Sequence, residues 1–145
     1  MEFINRVIHA LTQVHPTHPM VVHFPIALTG SAFLFILLAY WRKSASLEQT
    51  AFANIALASI STIAAGITGY LDNIKNYVGD APNASVKIVL AIILFILTAG
   101  ISIVRYRNPD LFEKSNHFFY IASYGVCFAI ALVLAFLGGV ILYGF

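Results

Sequence analysis

Four long apolar stretches, separated by short polar segments, dominate the hydrophobic pattern of this 145-residue chain. They cover residues 20–40, 51–71, 86–104 and 118–144, and each is at least as long as the roughly 17 residues that a helix needs to cross about 30 Å of hydrocarbon. Lipid offers no hydrogen-bond partners, so only helices or closed barrels can span it, and the alternating polar positions of a barrel are missing. The pattern predicts an all-α integral membrane four-helix bundle that forms a single domain over residues 1–145.

A shorter amphipathic pattern occupies residues 2–14, ahead of the first span. Its apolar residues recur at helical spacing opposite a polar side, and they are Phe3, Ile4, Val7, Ile8, Leu11 and Val14. This pattern predicts a short N-terminal helix that lies in the headgroup plane of the membrane. The polar residues among them argue against a secretory signal peptide. Pro16 and Pro19 should then bend the chain, because proline removes an amide donor and disfavours helical torsions in its predecessor.

Small residues mark two of the spans. The second span carries Ser59, Thr62, Gly66 and Gly69 at steps of three and four, and the fourth span carries Ser123, Cys127, Ala131, Ala135 and Gly139 at steps of four. Small side chains let helix backbones approach closely, so we expect the second and fourth spans to form the tightest pair. Cys127 should be a buried, unreactive thiol.

Composition supports the membrane assignment. Sixty per cent of the residues are hydrophobic and only 10% are charged, whereas soluble domains carry about 25% charged residues. The formal net charge of +2 rests on eight basic residues, too few for a nucleic-acid-binding patch. We therefore expect the partners to be the lipid bilayer, together with other membrane-protein subunits or further copies of the chain, and no nucleic acid.

Loop cations predict the orientation. One side of the bundle should carry Arg42, Lys43, Arg105, Arg107 and Lys114, and the other side Arg6, Lys75 and Lys87. Because cytoplasmic loops hold the excess of Lys and Arg, both termini and the N-terminal histidines are expected on the outer face. In a bacterium this is the periplasmic side of the inner (cytoplasmic) membrane.

The candidate chemistry lies at this outer face. His15, His18 and His23 come just before and within the first turns of the first span, and Asp72 follows the second span, which returns to the same face. Imidazoles and a carboxylate are ligands that Zn²⁺ and Cu²⁺ accept, although spacings of three and five match no known closed site. These four residues form the candidate metal site. A structural hydrogen bond between histidine and aspartate is the alternative.

Haem b is the other candidate cofactor, with His18 and His23 as the cofactor-binding residues. His117 begins the fourth span at the opposite face, so a bis-histidine haem between two spans of one chain is excluded. Ligation would then come from His23 together with His9, His15 or Met20 of the N-terminal segment, or with a ligand from a partner subunit. No Ser/His/Asp or Cys/His arrangement indicates catalysis, so no catalytic residue is assigned and we do not expect an enzyme.

Three motifs carry a resemblance to a known family. They are His18-Pro19-Met20-Val21-Val22-His23-Phe24-Pro25, Gly66-Ile67-Thr68-Gly69-Tyr70-Leu71-Asp72 and Gly138-Gly139-Val140-Ile141-Leu142-Tyr143. Together they resemble the bacterial predicted-membrane-protein family known as domain of unknown function 2231. The resemblance implies four spanning helices, no assigned activity, and an association of the same His-Pro module with cytochrome c-type domains in some bacteria. Relatives often carry a histidine where Val86-Lys87-Ile88 stands here, and no Cys-x-x-Cys-His for covalent haem is present.

Three functions follow in order of preference. The first is an accessory or structural subunit of a membrane redox complex, respiratory or photosynthetic, with the His/Asp cluster at its outer face. The second is a b-type haem- or metal-binding electron carrier that uses the same cluster. A small transporter ranks third, because every span interior lacks the ionisable residue that couples transport to protons.

Overall fold

The computed structural model describes residues 2–9, 17–79, 81–113 and 117–143. Its helices are α1 (Glu2–His9), α2 (Thr17–Arg42), α3 (Ala45–Tyr77), α4 (Ala84–Arg107) and α5 (His117–Tyr143). The described residues contain no strand, and α2 to α5 are each long and apolar enough to cross a membrane. The expected all-α four-helix bundle is confirmed. The short helix α1 exposes Phe3, Ile4 and Val7, and its place in the headgroup plane stays a prediction.

Helix α3 is longer than the predicted second span. It starts at Ala45 and runs for 33 residues, with the Ser44 hydroxyl accepting a hydrogen bond from the Leu47 amide as its N-cap. The apolar pattern placed the start at residue 51 because Glu48 interrupts it. Glu48 is nevertheless only 2% exposed, since its charge is compensated inside the bundle. A span therefore begins where its cap and buried face begin, and a paired charge does not end it.

The four long helices form a closed ring. Each packs against the next along the chain, and α5 closes the ring against α2. The most extensive contact joins α2 to α3, and the least extensive of the neighbouring contacts joins α4 to α5. The expected tight pairing of the second and fourth spans is wrong, because α3 and α5 lie across the diagonal of the ring.

Glycines at the helix contacts show which neighbours approach closely. Of the striped glycines, Gly69 receives a side chain of α2, whereas a Cβ added at Gly66 or Gly139 would meet nothing within 4 Å. A Cβ added at Gly69 would lie 2.8 Å from the His18 ring of α2. Gly30 of α2 and Gly125 of α5 likewise lie directly against Phe128 and Phe33 of the facing helix. These glycines therefore set the α2–α3 and α2–α5 distances.

The buried positions repeat at steps of three and four. In α3 they include Glu48, Ala51, Ile55, Ala58, Thr62 and Ala65, and in α5 they are Tyr120, Tyr124, Cys127 and Ala131. A mean step of 3.5 residues is the spacing of left-handed bundles, in which side chains of one helix fill gaps on the next. Cys127 is fully buried, which agrees with its expected role as a core thiol.

Candidate functional site

Polar side chains gather at both ends of the bundle. The end at which α2 and α4 begin and α3 finishes holds His18, His23 and Asp72, and we call it the histidine end. The opposite end, where α3 and α5 begin, holds the buried Glu48, and we call it the glutamate end. The core between them contains three buried threonines, Thr29, Thr62 and Thr98, and each donates to a carbonyl of its own helix.

His18 packs against the last turns of α3. Its Nδ1 lies 3.3 Å from the Thr68 hydroxyl oxygen, and the bare Cα of Gly69 makes room for the ring. The Thr68 hydroxyl donates its own hydrogen to the carbonyls of Ala64 and Ala65. With that hydrogen used on the carbonyls, the Thr68 oxygen accepts from Nδ1 in the His18 tautomer that carries its hydrogen there.

Two charged side chains surround His18. Asp72 and Lys87 each interact electrostatically with the imidazole, and they interact with one another. Asp72 also accepts a hydrogen bond from the Asn76 amide one turn later. The structure thus places His18 and Asp72 at the same end of the bundle, close enough to interact electrostatically. Lys87 joins them from α4, where the resemblance had suggested that relatives place a histidine.

The other predicted ligands do not join this pair in the described part of the chain. His23 is exposed, and its Nδ1 contacts the Pro19 carbonyl of its own helix at 2.5 Å. Five residues separate it from His18, which turns it about 140° around α2. His15 lies outside the described residues. Within the described ranges no three His, Cys, Asp or Glu side chains form a potential metal-binding group, so the four-residue metal site stays a prediction.

His117 lies at the glutamate end, as the first residue of α5. Its ring stacks at a tilt on Tyr40, near the end of α2, with 5.3 Å between the ring centroids. The helix α2 therefore separates it from His18 and His23 along nearly the full length of the bundle. This placement agrees with the exclusion of a haem held between His117 and the N-terminal histidines.

A buried ion pair forms the centre of the glutamate end. The two carboxylate oxygens of Glu48 accept from Nε and Nη2 of Arg105 at 2.6 and 2.7 Å. The carboxylate side chain is 2% exposed and the guanidinium side chain 16% exposed. Two parallel charge-assisted hydrogen bonds of this kind fix both distance and orientation. The guanidinium also lies over the Phe52 ring, 5.5 Å from its centroid.

Two tyrosines extend this ion pair into the core. Tyr120 donates to Glu48 at 2.8 Å, and its hydroxyl lies 2.8 Å from that of Tyr124. Because the Tyr120 hydrogen is used on the carboxylate, Tyr124 must be the donor between the two phenols. The four side chains connect α3, α4 and α5 in one hydrogen-bonded chain, which we call the Glu48 network.

Helix ends stabilise both charges of the network. Glu48 lies in the first turn of α3 and Arg105 in the last turn of α4. Each charge faces the helix end of opposite partial charge, an arrangement that contributes typically 0.3–1 kcal/mol, and up to about 2 kcal/mol where the geometry is partly buried. The network closes this end of the bundle and holds three helices in register. Its carboxylate is already shared among an arginine and a tyrosine, so it offers no open ligand position.

Sequence reasoning missed this network. It treated Arg105 as a loop cation and left Glu48 outside every span. A signal was present, because Glu48 continues the buried stripe of α3 at steps of three and four. Arg105 similarly stands seven residues after the buried Thr98 of α4. Continuing the buried stripe of each span beyond its uncharged residues would have placed Glu48 and Arg105 inside the bundle.

Comparison with known proteins identifies the family of the chain. No curated protein and no solved structure matches it. The family described as Predicted membrane protein (DUF2231) matches residues 14–145, a stretch that contains all four long helices. The resemblance carried by the three sequence motifs is thereby confirmed, and the chain belongs to the DUF2231 family of predicted membrane proteins.

Proposed function

We propose that this protein is a non-catalytic accessory subunit of a membrane redox complex, respiratory or photosynthetic, and that it binds its partners through the outer surface of the bundle. The proposal divides into two parts. The first is that the chain acts by packing against other subunits. The second is that those subunits carry out electron transfer.

The observation that carries the first part is the completeness of the interior. In the part of the chain that the structure describes, no buried side-chain nitrogen or oxygen lacks a hydrogen-bond partner. A bundle that handled a substrate or an ion inside would present polar groups to it, at a cost of about 1–3 kcal/mol for each group left unpaired. Glu48 and Arg105 instead bind each other. The same observation gives a transporter no support.

The outer surface of the bundle, by contrast, is apolar. Large exposed side chains occur on all four long helices, among them Leu34, Ile60, Ile96 and Phe136. Inside a membrane these side chains contact lipid or the helices of other subunits. A small bundle whose described buried polar groups are hydrogen-bonded and whose surface is apolar is suited to structural assembly with larger membrane proteins.

The second part rests on the family resemblance. The His18–Pro25 module resembles one that occurs with cytochrome c-type domains in some bacteria, and this association supports a redox membrane. The location in a bacterial inner membrane with both termini periplasmic rests on the loop cations. At the glutamate end these include Arg42, Lys43 and Arg107, all exposed.

The electron carrier is a second candidate that one observation favours. Nδ1 of His18 lies within hydrogen-bond distance of the Thr68 hydroxyl, and in the neutral tautomer that donates from Nδ1 the lone pair is on Nε2. Metal-binding histidines usually have their other ring nitrogen fixed in this way. A haem b or a divalent transition metal would then take His18 as a ligand, with the remaining ligands from the N-terminal segment or from a partner.

One purification separates the two candidates. The tagged chain is extracted from its native membranes in mild detergent, and its migration on native gels and its visible absorbance are compared with those of the chain expressed alone. An accessory subunit migrates in a haem-containing complex well above 15.9 kDa, and the isolated chain shows no Soret band. A stable monomer from native membranes contradicts the first candidate.

The carrier makes the opposite prediction for the isolated chain. It should retain a Soret band or stoichiometric metal when expressed alone, and His18→Ala should remove that signal. His23→Ala is the matched control, because His23 is exposed and bonded to its own helix. Equal loss in both variants contradicts a site centred on His18.

A further inference from the structure

A groove opens on the lipid-facing side between α4 and α5. Its volume is about 330 Å³, and its walls are formed by Gly100, Ile101 and Val104 of α4 and by Phe119, Tyr120 and Ser123 of α5. Leu111 of the connecting loop closes it at the glutamate end. It coincides with the least extensive of the four neighbouring helix contacts. The missing side chain of Gly100 helps to create it, since a Cβ added there would meet nothing within 4 Å.

The groove presents hydrocarbon to its occupant. The Ser123 hydroxyl is used on the Tyr120 carbonyl at 2.6 Å, and the Tyr120 hydroxyl is used within the Glu48 network. The hydroxyl hydrogens of Ser123 and Tyr120 are therefore already bonded within the protein. The network also holds Tyr120 in place, so the floor of the groove is fixed. An apolar groove of fixed shape inside a bilayer is suited to an acyl chain.

The charges at the mouth of the groove match a headgroup. Arg107 is exposed and stands three residues after Val104 and seven after Gly100, which places it on the same face of α4. Asp110 and Glu113 follow in the connecting loop, and both are exposed. A cation on the groove-lining face of α4 and two carboxylates in the loop that carries Leu111 complement a phosphate and an ammonium group, respectively.

We infer that the α4–α5 groove binds one zwitterionic phospholipid, with an acyl chain against Gly100 and the phosphate at Arg107. The lipid completes the surface where α4 and α5 pack least. This inference depends on the groove and its charged mouth, and it holds whether or not the protein joins a redox complex.

The first test fills the groove with a larger side chain of the protein itself. Gly100→Leu places a side chain where the acyl chain would lie, and Gly66→Leu is the matched control, because Gly66 of α3 also has nothing within 4 Å of an added Cβ. Both proteins are purified from bilayers that contain equal amounts of phosphatidylethanolamine and phosphatidylglycerol. Native mass spectrometry then counts the phospholipids retained. We expect Gly66→Leu to retain the wild-type number and Gly100→Leu to lose one phosphatidylethanolamine per chain.

A second pair of variants tests the headgroup. Arg107→Gln should lower the retained phosphatidylethanolamine several-fold, whereas Lys43→Gln, which removes another exposed cation at the same end, should leave it unchanged. The inference is overturned if Gly100→Leu retains the wild-type number, or if phosphatidylglycerol is the retained lipid. It is also overturned if Gly100→Leu alone converts an oligomer into a monomer, because the groove would then hold a second copy of the chain. Unchanged helical content on circular dichroism shows that each variant folds.

Discussion

Breaking the Glu48 network from both sides should destabilise the bundle no more than breaking it from one side. Glu48→Gln keeps the size of the side chain and removes the carboxylate that accepts two hydrogen bonds from Arg105. Arg105→Gln removes the guanidinium and leaves the buried carboxylate without its counter-charge. The double variant removes both charges and lets the two amides bond to each other.

The magnitude follows from burial. Removing one partner of a buried ion pair typically costs 3–5 kcal/mol, because the other charge stays buried and uncompensated. The guanidinium is 16% exposed and can reach interfacial water, so we place each single variant at the lower end, about 3 kcal/mol. The double variant should cost about the same as one single variant. The coupling between the two sites should then be at least about 2 kcal/mol, as for residues that share one network.

Unfolding in mixed micelles measures these values. The purified protein is titrated with sodium dodecyl sulfate, and the loss of helical content is followed by circular dichroism. Glu2→Gln is the control, since it removes an exposed carboxylate from α1 and should leave the midpoint unchanged. The reasoning is refuted if Glu48→Gln behaves like this control, or if the effects of the two single variants add in the double variant.

Three further predictions concern the core and the histidine end. Tyr120→Phe should lower the free energy of unfolding by about 1–2 kcal/mol in the same titration. Its hydrogen bonds to Glu48 and Tyr124 are lost, and the buried Tyr124 hydroxyl is left without an acceptor. Gly69→Ala should destabilise the bundle, because the added Cβ would lie 2.8 Å from the His18 ring. Gly66→Ala, where the Cβ meets nothing, should stabilise it by up to about 1 kcal/mol through helix propensity, and equal shifts in these two variants would contradict the close approach. Cys127, fully buried, should react with N-ethylmaleimide only as fast as the protein unfolds, and rapid labelling of the folded protein would exclude the described packing.

The four spans could be predicted from the sequence because their signal is long and redundant. Each apolar stretch approaches or exceeds the thickness of the hydrocarbon, so single interruptions do not hide it. The helix ends were harder to predict. Charge was used to delimit the spans, and this placed the start of α3 after Glu48, although that residue lies in the buried stripe with Ala51 and Ile55.

The candidate metal and haem sites stay predictions. His18 and Asp72 lie at the same end of the bundle and interact electrostatically, because the alternating directions of α2 and α3 return residues 18 and 72 to that end. His23 does not join them, because five residues along a helix turn a side chain to another face. The Glu48 network was missed since its members lie 57 and 72 residues apart along the chain. No local pattern joins them, and only the ring order of the helices brings them together.

The pairing error has a related cause. Small residues indicate close approach, but they do not say which helix approaches. Gly69 and Gly125 both receive side chains of α2, His18 and Phe33 respectively. Gly69 belongs to the predicted stripe of the second span, whereas Gly125 lies outside the predicted stripe of the fourth span.

The length of α3 sets how the protein meets its surroundings. Its 33 residues extend about 50 Å at 1.5 Å per residue, far more than the roughly 30 Å of hydrocarbon, and hiding the excess by tilt would need an angle beyond the 0–40° usual for such helices. The residues after Asp72 continue the helix about 8 Å further to Tyr77. At that end α3 carries the turn after Tyr77 away from the apolar part of the span. An incoming protein on that side would touch this turn before it reached the lipid-facing flanks.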